Sequence, residues 1–302
     1  MLTYKKLYQP ANLNTNEIIL DIETTGLDPS IDQLVLLGII EYEDDKCYIK
    51  QYFAEDDNEG IKLLKIYLKH VEDKKVITYN GDKFDIPFLN IRLMQNKLHP
   101  IFPESIDIFK ILASQRKYFS FESMKLSDIE KYVGIERDDP SRYKVISKLT
   151  EDKKRRENPW PIMVHNQNDL IATEKLANLG EYFRSILSFT LDSYGSFYLK
   201  SVWINNDIGQ IILESDSPMN DAYFSTSNYE LRISKKNIEI NIQVLYGRFD
   251  SENTGHVAIN IFELENESNL EVDLNLFIIR ENRTYNYKNI LKLSKKIIET
   301  HL

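Results

Sequence analysis

The feature that most constrains this chain is an apolar run that closes on two acids, Glu17-Ile18-Ile19-Leu20-Asp21-Ile22-Glu23. Its length and β-branched content read as a buried strand. Side chains of a strand alternate between its faces, so Asp21 and Glu23 share one. On a half-buried strand that face should be apolar. Two like charges there repel each other and lose their water, which is costly unless something positive lies between them. A divalent cation with oxygen ligands is the simplest remedy. The plainer alternative leaves both acids at the wet end of the strand.

Strand and helix signals alternate through the first part of the chain. Residues 33–42 and 46–53 read as strands joined by an Asp44-Asp45 turn, antiparallel neighbours of the first strand. Ile61, Leu64, Leu68 and Val71 make a helical stripe over residues 60–71. A short strand over 75–80 precedes a helix over 86–97, with Pro87 in its first turn, where a missing N–H is harmless. A strand over 105–109, a helix over 127–133 stopped by Gly134, and a long helix over 162–187 complete this part. Beyond it the pattern changes to period two. Ile238, Ile240, Ile242 and Val244 alternate with polar residues, as do Leu270, Val272, Leu274 and Leu276. Such alternation marks an antiparallel sheet with one wet face. A helix over 287–300 should cover the dry face. The expected fold class is α/β. A mixed sheet flanked by helices spans residues 1–187, and a smaller antiparallel sheet-and-helix (α+β) domain spans 188–302.

The formal net charge of -9 argues against a wide basic surface that coats nucleic acid. It leaves room for an enzyme that grips nucleic acid locally, since bound divalent metals offset an acidic site. No apolar run approaches the length of a membrane span. The first residues lack the apolar core of a secretory signal, so a cytoplasmic protein is expected. The single cysteine, Cys47, reads as a small side chain in a strand and can build neither an internal disulfide nor a thiolate zinc site. Neither a phosphate-binding G-x-x-x-x-G-K-[ST] loop nor a G-x-S-x-G elbow is present.

Two further segments carry candidate chemistry. In Asn80-Gly81-Asp82-Lys83-Phe84-Asp85, Gly81 permits a close backbone approach, and Asp85 stands where a helix begins. By itself Asp85 also reads as a helix cap. In His165-Asn166-Gln167-Asn168-Asp169, the first and last residues share a helix face and also read as a surface ion pair. Asp107 is either a carboxylate behind the ligands or a turn residue. Lys144, Lys148, Lys153, Lys154, Arg155 and Arg156 could hold phosphates or form a solvated face. Tyr118, Phe119 and Phe121 could stack bases, with core packing the alternative. His70, His99, His256 and His301 have no ligand spacing with one another and read as structural or surface residues.

In this order, the three acidic segments resemble the DEDD superfamily of 3′–5′ exonucleases, which have an RNase H-like fold. The resemblance covers roughly residues 15–185 and is nearest to the YprB-type RNase H-like exonucleases. It rests on Asp21 and Glu23, on Asp85 closing an N-G-x-x-F-D stretch, and on a His-Asn-x-x-Asp helix with His165 and Asp169. The stretch from Leu126 to Arg137 also resembles that group. One departure stands out. His165 precedes Asp169 by four residues, the spacing of the subgroup with tyrosine in this place, whereas the histidine subgroup has five.

The resemblance implies a metal-dependent 3′–5′ exonuclease acting on DNA or RNA with two divalent ions, Mg²⁺ or Mn²⁺. Asp21 would bridge both ions, Glu23 and Asp169 would hold the one that activates water, and Asp85 would support the other. His165 would accept the proton of the attacking water, and the product would be a 5′-mononucleotide. Thr24, Thr25, Gly26, Leu27, Asn80 and Phe84 would lie against the terminal nucleotide. The reading requires the acidic oxygens to converge, with none neutralised by a lysine where an ion belongs. Its rivals are a non-catalytic nucleic-acid-binding protein and an assembly factor that docks a protein partner on the C-terminal sheet. An endonuclease of the same fold is a third.

Overall fold

In the computed structural model, which describes residues 1–136 and 146–302, the run that ends in two acids is strand β2 (Glu17–Thr24). It sits inside a six-stranded sheet with β1 (Leu2–Tyr8), β3 (Leu34–Glu43), β4 (Lys46–Phe53), β5 (Lys75–Thr78) and β6 (Ser105–Asp107). The strand order is β1-β4-β3-β2-β5-β6. The first four are antiparallel neighbours, whereas β5 and β6 continue the sheet in parallel. The β3–β4 hairpin closes through Asp44 and Asp45, whose φ angles of 48° and 62° suit a tight turn. Strand β1 was not anticipated. It is an exposed edge strand, with Lys5 and Lys6 in its middle.

Helices cover both faces. Ile18, Leu20 and Ile22 of β2 pack with Leu37 and Ile39, with Leu63, Leu64 and Tyr67 of α1 (Gly60–Val71), and with Phe88, Leu89 and Leu93 of α2 (Asp85–Gln95). α3 (Ile108–Gln115) and α4 (Leu126–Val133) follow, and Gly134 ends α4 in the left-handed conformation. On the opposite face Val35, Leu36 and Phe53 meet Leu149 of α5 (Ile146–Arg155) and Ile162 and Met163 of α6 (Pro159–Lys175). The single helix expected over 162–187 is two, α6 and α7 (Leu179–Ile186). Leu176, Leu179, Phe183 and Leu187 are all buried, so the apolar period runs through the intervening turn and hides it from sequence.

The chain divides into two compact units, Met1–Ser114 with Phe121–Leu179, and Gln115–Ser120 with Gly180–Leu302. The second holds an antiparallel sheet of β7 (Ser188–Leu191), β8 (Gly195–Asn205), β9 (Ile208–Ser225) and β10 (Tyr229–Gln243), in the order β10-β9-β8-β7. A second sheet, β11-β12-β13-β14, comprises Leu245–Arg248, Thr254–Ile259, Leu276–Glu281 and Thr284–Tyr285. Ile238, Ile240 and Ile242 are buried, as their alternation requires. α8 (Tyr287–His301) packs its buried Ile290, Ile297 and Ile298 side against the strands.

The strand expected at Leu270–Leu276 is instead a loop, and Leu274 is 90% exposed. Asp273 folds this stretch by accepting from the backbone of Asn275 and Leu276, and a local turn outweighs the alternation. Cys47 is buried on β4 and unpaired. Among the described residues no helix is long and apolar enough to cross a membrane.

Candidate active site

The site grows from the register of three neighbouring strands. Asp21 on β2 lies opposite Gly38 on β3, and Gly38 lies opposite Gln51 on β4. Residues in register share a sheet face. On this one, two polar side chains flank a glycine. The gap over Gly38 is filled by Asn166 of α6: a Cβ on Gly38 would lie 2.1 Å from the Asn166 Oδ1. Helix α6 starts with Asn158, whose side chain accepts from the Trp160 N–H, and Pro159 in the first turn. Its phase buries Ile162, Met163, Asn166 and Leu170 and leaves His165 and Asp169 together on a half-buried flank.

Glu23, two residues beyond Asp21 on the same face, is buried. One oxygen each from Glu23 and Asp169 and a ring nitrogen of His165 all lie within 4.8 Å of one another. The His165 Nε2 stands 3.7 Å from the Asp169 Oδ2. Asp85, the first residue of α2, reaches back so that its Oδ1 accepts from the Ile22 N–H at 3.1 Å. The turn that delivers it needs Asn80 at a φ of 66° and Gly81, where a Cβ would lie 2.5 Å from the Thr78 Cβ.

Electrostatics shows how closely these acids crowd. Burial, then the charges of Asp169, Asp85 and Glu23, push the Asp21 carboxyl well above the usual carboxylate range, against the hydrogen bond from Asn166. Burial pushes Asp85 up to about 7; the N–H of Ile22 opposes this, and the charges of Glu23 and Asp107 add to it. Four carboxylates from three elements therefore share one region at a sheet end, and two of them resist ionisation. A set of hard oxygen donors with excess negative charge suits a divalent cation of the Mg²⁺ type.

The condition that no lysine neutralise an acid is not met at Glu23: the Lys153 Nζ of α5 lies 2.9 Å from the Glu23 Oε2, with only 13% and 7% of their side-chain surfaces exposed, so an ion held by Glu23 would have to displace this ammonium. A desolvated carboxylate recruits the nearest cation, and the basic run that ends α5 supplies it. A single ammonium against four acids leaves Asp21 and Asp85 perturbed as described. Elsewhere in that basic run, Arg156 pairs with Asp57, and Lys148 and Arg155 pair with Glu151. Lys144 and Arg137 lie outside the described residues.

The other sequence candidates have definite places. The Thr24 Oγ1 donates to the Gly26 carbonyl, and the Thr25 Oγ1 donates to Asp32 while accepting from the Gln33 N–H. A Cβ on Gly26 would meet the Asp32 carboxylate at 2.4 Å. Leu27 projects from the same loop, 82% exposed. Phe84 packs partly buried against Phe88. Asp107 accepts from the backbone N–H groups of Asn80, Asp82 and Phe109, so it braces the turn before Asp85. Tyr118, Phe119 and Phe121 are buried. Gly38, Gln51 and Asn166 were not read as part of the site. The signals were a glycine and a glutamine interrupting apolar strands, since an interior strand glycine marks a close approach.

A family model described as the RNase_H superfamily matches residues 18–180. Among curated proteins, the chain is similar to the PolC-type DNA polymerase III of Ureaplasma parvum, 30% identical over 156 residues covering 43% of this chain and 10% of the polymerase. It is also similar to the uncharacterized protein YprB of Bacillus subtilis, 30% identical over 128 residues covering 40% of this chain and 30% of YprB. The chain thus spans under a third of the length of either relative. Among solved structures it resembles the family B DNA polymerase of Pyrobaculum calidifontis, with a TM-score of 0.45 and 15% identity over 62% of this chain and 29% of that one.

Proposed function

Because the chain belongs to the RNase H superfamily, we propose that it is a metal-dependent 3′–5′ exonuclease that hydrolyses the terminal phosphodiester bond of DNA or RNA. The observation that carries this reading is the gathering of Asp21, Glu23, Asp85 and Asp169 at one sheet end, with His165 beside Asp169. Asp21, Glu23 and Asp169 would hold one divalent ion, and Asp21 with Asp85 a second. Two such ions, Mg²⁺ or Mn²⁺, supply an activated water and offset charge on the leaving oxygen.

The protein's own groups would do the rest. Asp21 presents oxygen from a β-strand, and Asp85 from the first turn of a helix, so neither needs to reorganise. His165 would accept a proton from the attacking water. Thr24, Thr25, Gly26, Leu27, Asn80 and Phe84 would contact the terminal nucleotide, and Leu27 offers it an exposed apolar surface. Similarity to a PolC-type polymerase over its matched segment also favours a nucleic-acid substrate. The C-terminal unit would offer a surface to a protein partner, since its alternating acidic and amide residues suit phosphate poorly.

The test is hydrolysis of a 5′-labelled oligonucleotide with Mn²⁺ or Mg²⁺. The reading expects stepwise shortening from the 3′ end, intact circular DNA, and loss of activity in Asp21→Ala. Cleavage of circles would point to the endonuclease rival, and full activity in Asp21→Ala would refute the site.

A further inference from the structure

Side-chain amides carry a donor and an acceptor of nearly the same shape, so what lies behind an amide decides which end faces forward. For Asn166 that choice is made by Gln51 and the Met163 carbonyl behind it. The carbonyl can only accept, and the Gln51 Nε2 donates to it at 2.7 Å. The same Nε2 donates to the Asn166 Oδ1 at 2.7 Å. The Asn166 Nδ2 must then face β2, where it donates to the Asp21 Oδ2 at 2.7 Å and to the Asp21 carbonyl at 3.3 Å. Asn166 is fully buried, Gln51 is 1% exposed, and Gly38 leaves the gap that lets the amide cross the sheet.

We infer that Gln51 and Asn166 are positioning residues for the cation site, a hydrogen-bond relay that reserves the Asp21 Oδ2 as an acceptor. The Asp21 Oδ1 is then the oxygen without a hydrogen bond among the described residues, free to turn to a cation. The inference rests on the metal reading above and goes beyond it, because neither amide would touch ion or substrate. Groups that hold a ligand's second atom typically contribute ten- to a hundredfold to metal affinity.

The direct test is Mn²⁺ binding to the full chain, followed by electron paramagnetic resonance, with circular dichroism and melting as checks of folding. Asn166→Leu removes the donor at similar volume, and Gln51→Met removes the relay's anchor. Each should weaken Mn²⁺ about ten- to a hundredfold. Once ionised, Gln51→Glu can donate to neither the Met163 carbonyl nor the Asn166 Oδ1. It therefore turns the amide and points Oδ1 at Asp21, so it should bind Mn²⁺ more weakly than Gln51→Met, although every acid is intact. At saturating Mn²⁺ the KM for an oligonucleotide should stay at the wild-type value while kcat falls. Folded Gln51 variants that bind Mn²⁺ like wild type would overturn the inference alone. A wild-type chain that binds no Mn²⁺ would overturn the metal reading and the inference together. Should the variants fail to fold, NMR of the wild-type Asn166 side-chain amide decides. Slow proton exchange and a shift on adding Mg²⁺ are expected, and a fast-exchanging amide unmoved by Mg²⁺ overturns the relay.

Discussion

Replacing Asp85 with asparagine should stabilise the metal-free protein at pH 8 and leave it nearly unchanged at pH 4. The amide of Asp85→Asn keeps a carbonyl oxygen to accept from the Ile22 N–H, which the Asp85 Oδ1 does at 3.1 Å, so the local fold is preserved. What changes is charge. The fold carries the Asp85 carboxyl from an ordinary 3.8 to about 7, a preference for the neutral form of about 4 kcal/mol. Because the folded state holds this proton more tightly than the unfolded chain, the contribution is fully present below about pH 4. It is lost as the pH rises through about 7. At pH 8 wild type bears the whole cost and Asp85→Asn bears none. About 4 kcal/mol in a unit of this size corresponds to roughly 10 °C in melting temperature. The assay is thermal denaturation in EDTA at pH 4, 6 and 8, read as the difference between variant and wild type so that other titrations cancel. Mn²⁺ should raise the melting temperature of wild type at pH 8 more than that of the variant. Equal melting temperatures at pH 8 without metal would refute the crowding of acids on which the argument rests.

Lys153→Met should lower the melting temperature of the metal-free chain, since breaking a buried ion pair leaves Glu23 uncompensated. It should also enlarge the stabilisation by Mn²⁺, because the ion no longer competes with an ammonium; a thermal-shift titration that matches wild type would contradict both. His165→Gln should reduce kcat about a hundredfold or more while weakening Mn²⁺ far less than Asp169→Asn does. Calorimetry showing equal losses would make His165 a ligand instead of a base. Gly26→Ala should loosen the loop after β2 by pushing Asp32 away from Thr25, and faster proteolysis between β2 and β3 would reveal it.

Much of this architecture is written in local pattern. Strands β2 to β6 and helices α1, α2 and α4 follow from apolar periodicity, Pro87 and Gly134, whereas the exposed edge strand β1 carries no such pattern. Asp21 and Glu23 were legible because charge at the end of an apolar strand is conspicuous, whereas Asp85 and Asp169 stood out only through the ordered resemblance of the three segments. What escaped depends on contacts far apart in sequence. Asn166 stands in the His-Asn-x-x-Asp helix with no role of its own until the register sets Gly38 between Asp21 and Gln51. Lys153 reads as part of a solvated basic run, yet its ammonium ends beside Glu23, 130 positions away. The α6–α7 break and the loop before β13 escaped for the opposite reason: an apolar period continued where turn-forming contacts broke the element.

The account's central claim is that these acids are assembled around divalent cations. The most direct measurement is anomalous diffraction from crystals soaked with Mn²⁺ and a mononucleotide. The account predicts manganese peaks among Asp21, Glu23, Asp85 and Asp169, with the Lys153 ammonium displaced from Glu23. Peaks absent from that cluster, with Lys153 still seated on Glu23 at saturating Mn²⁺, would contradict it.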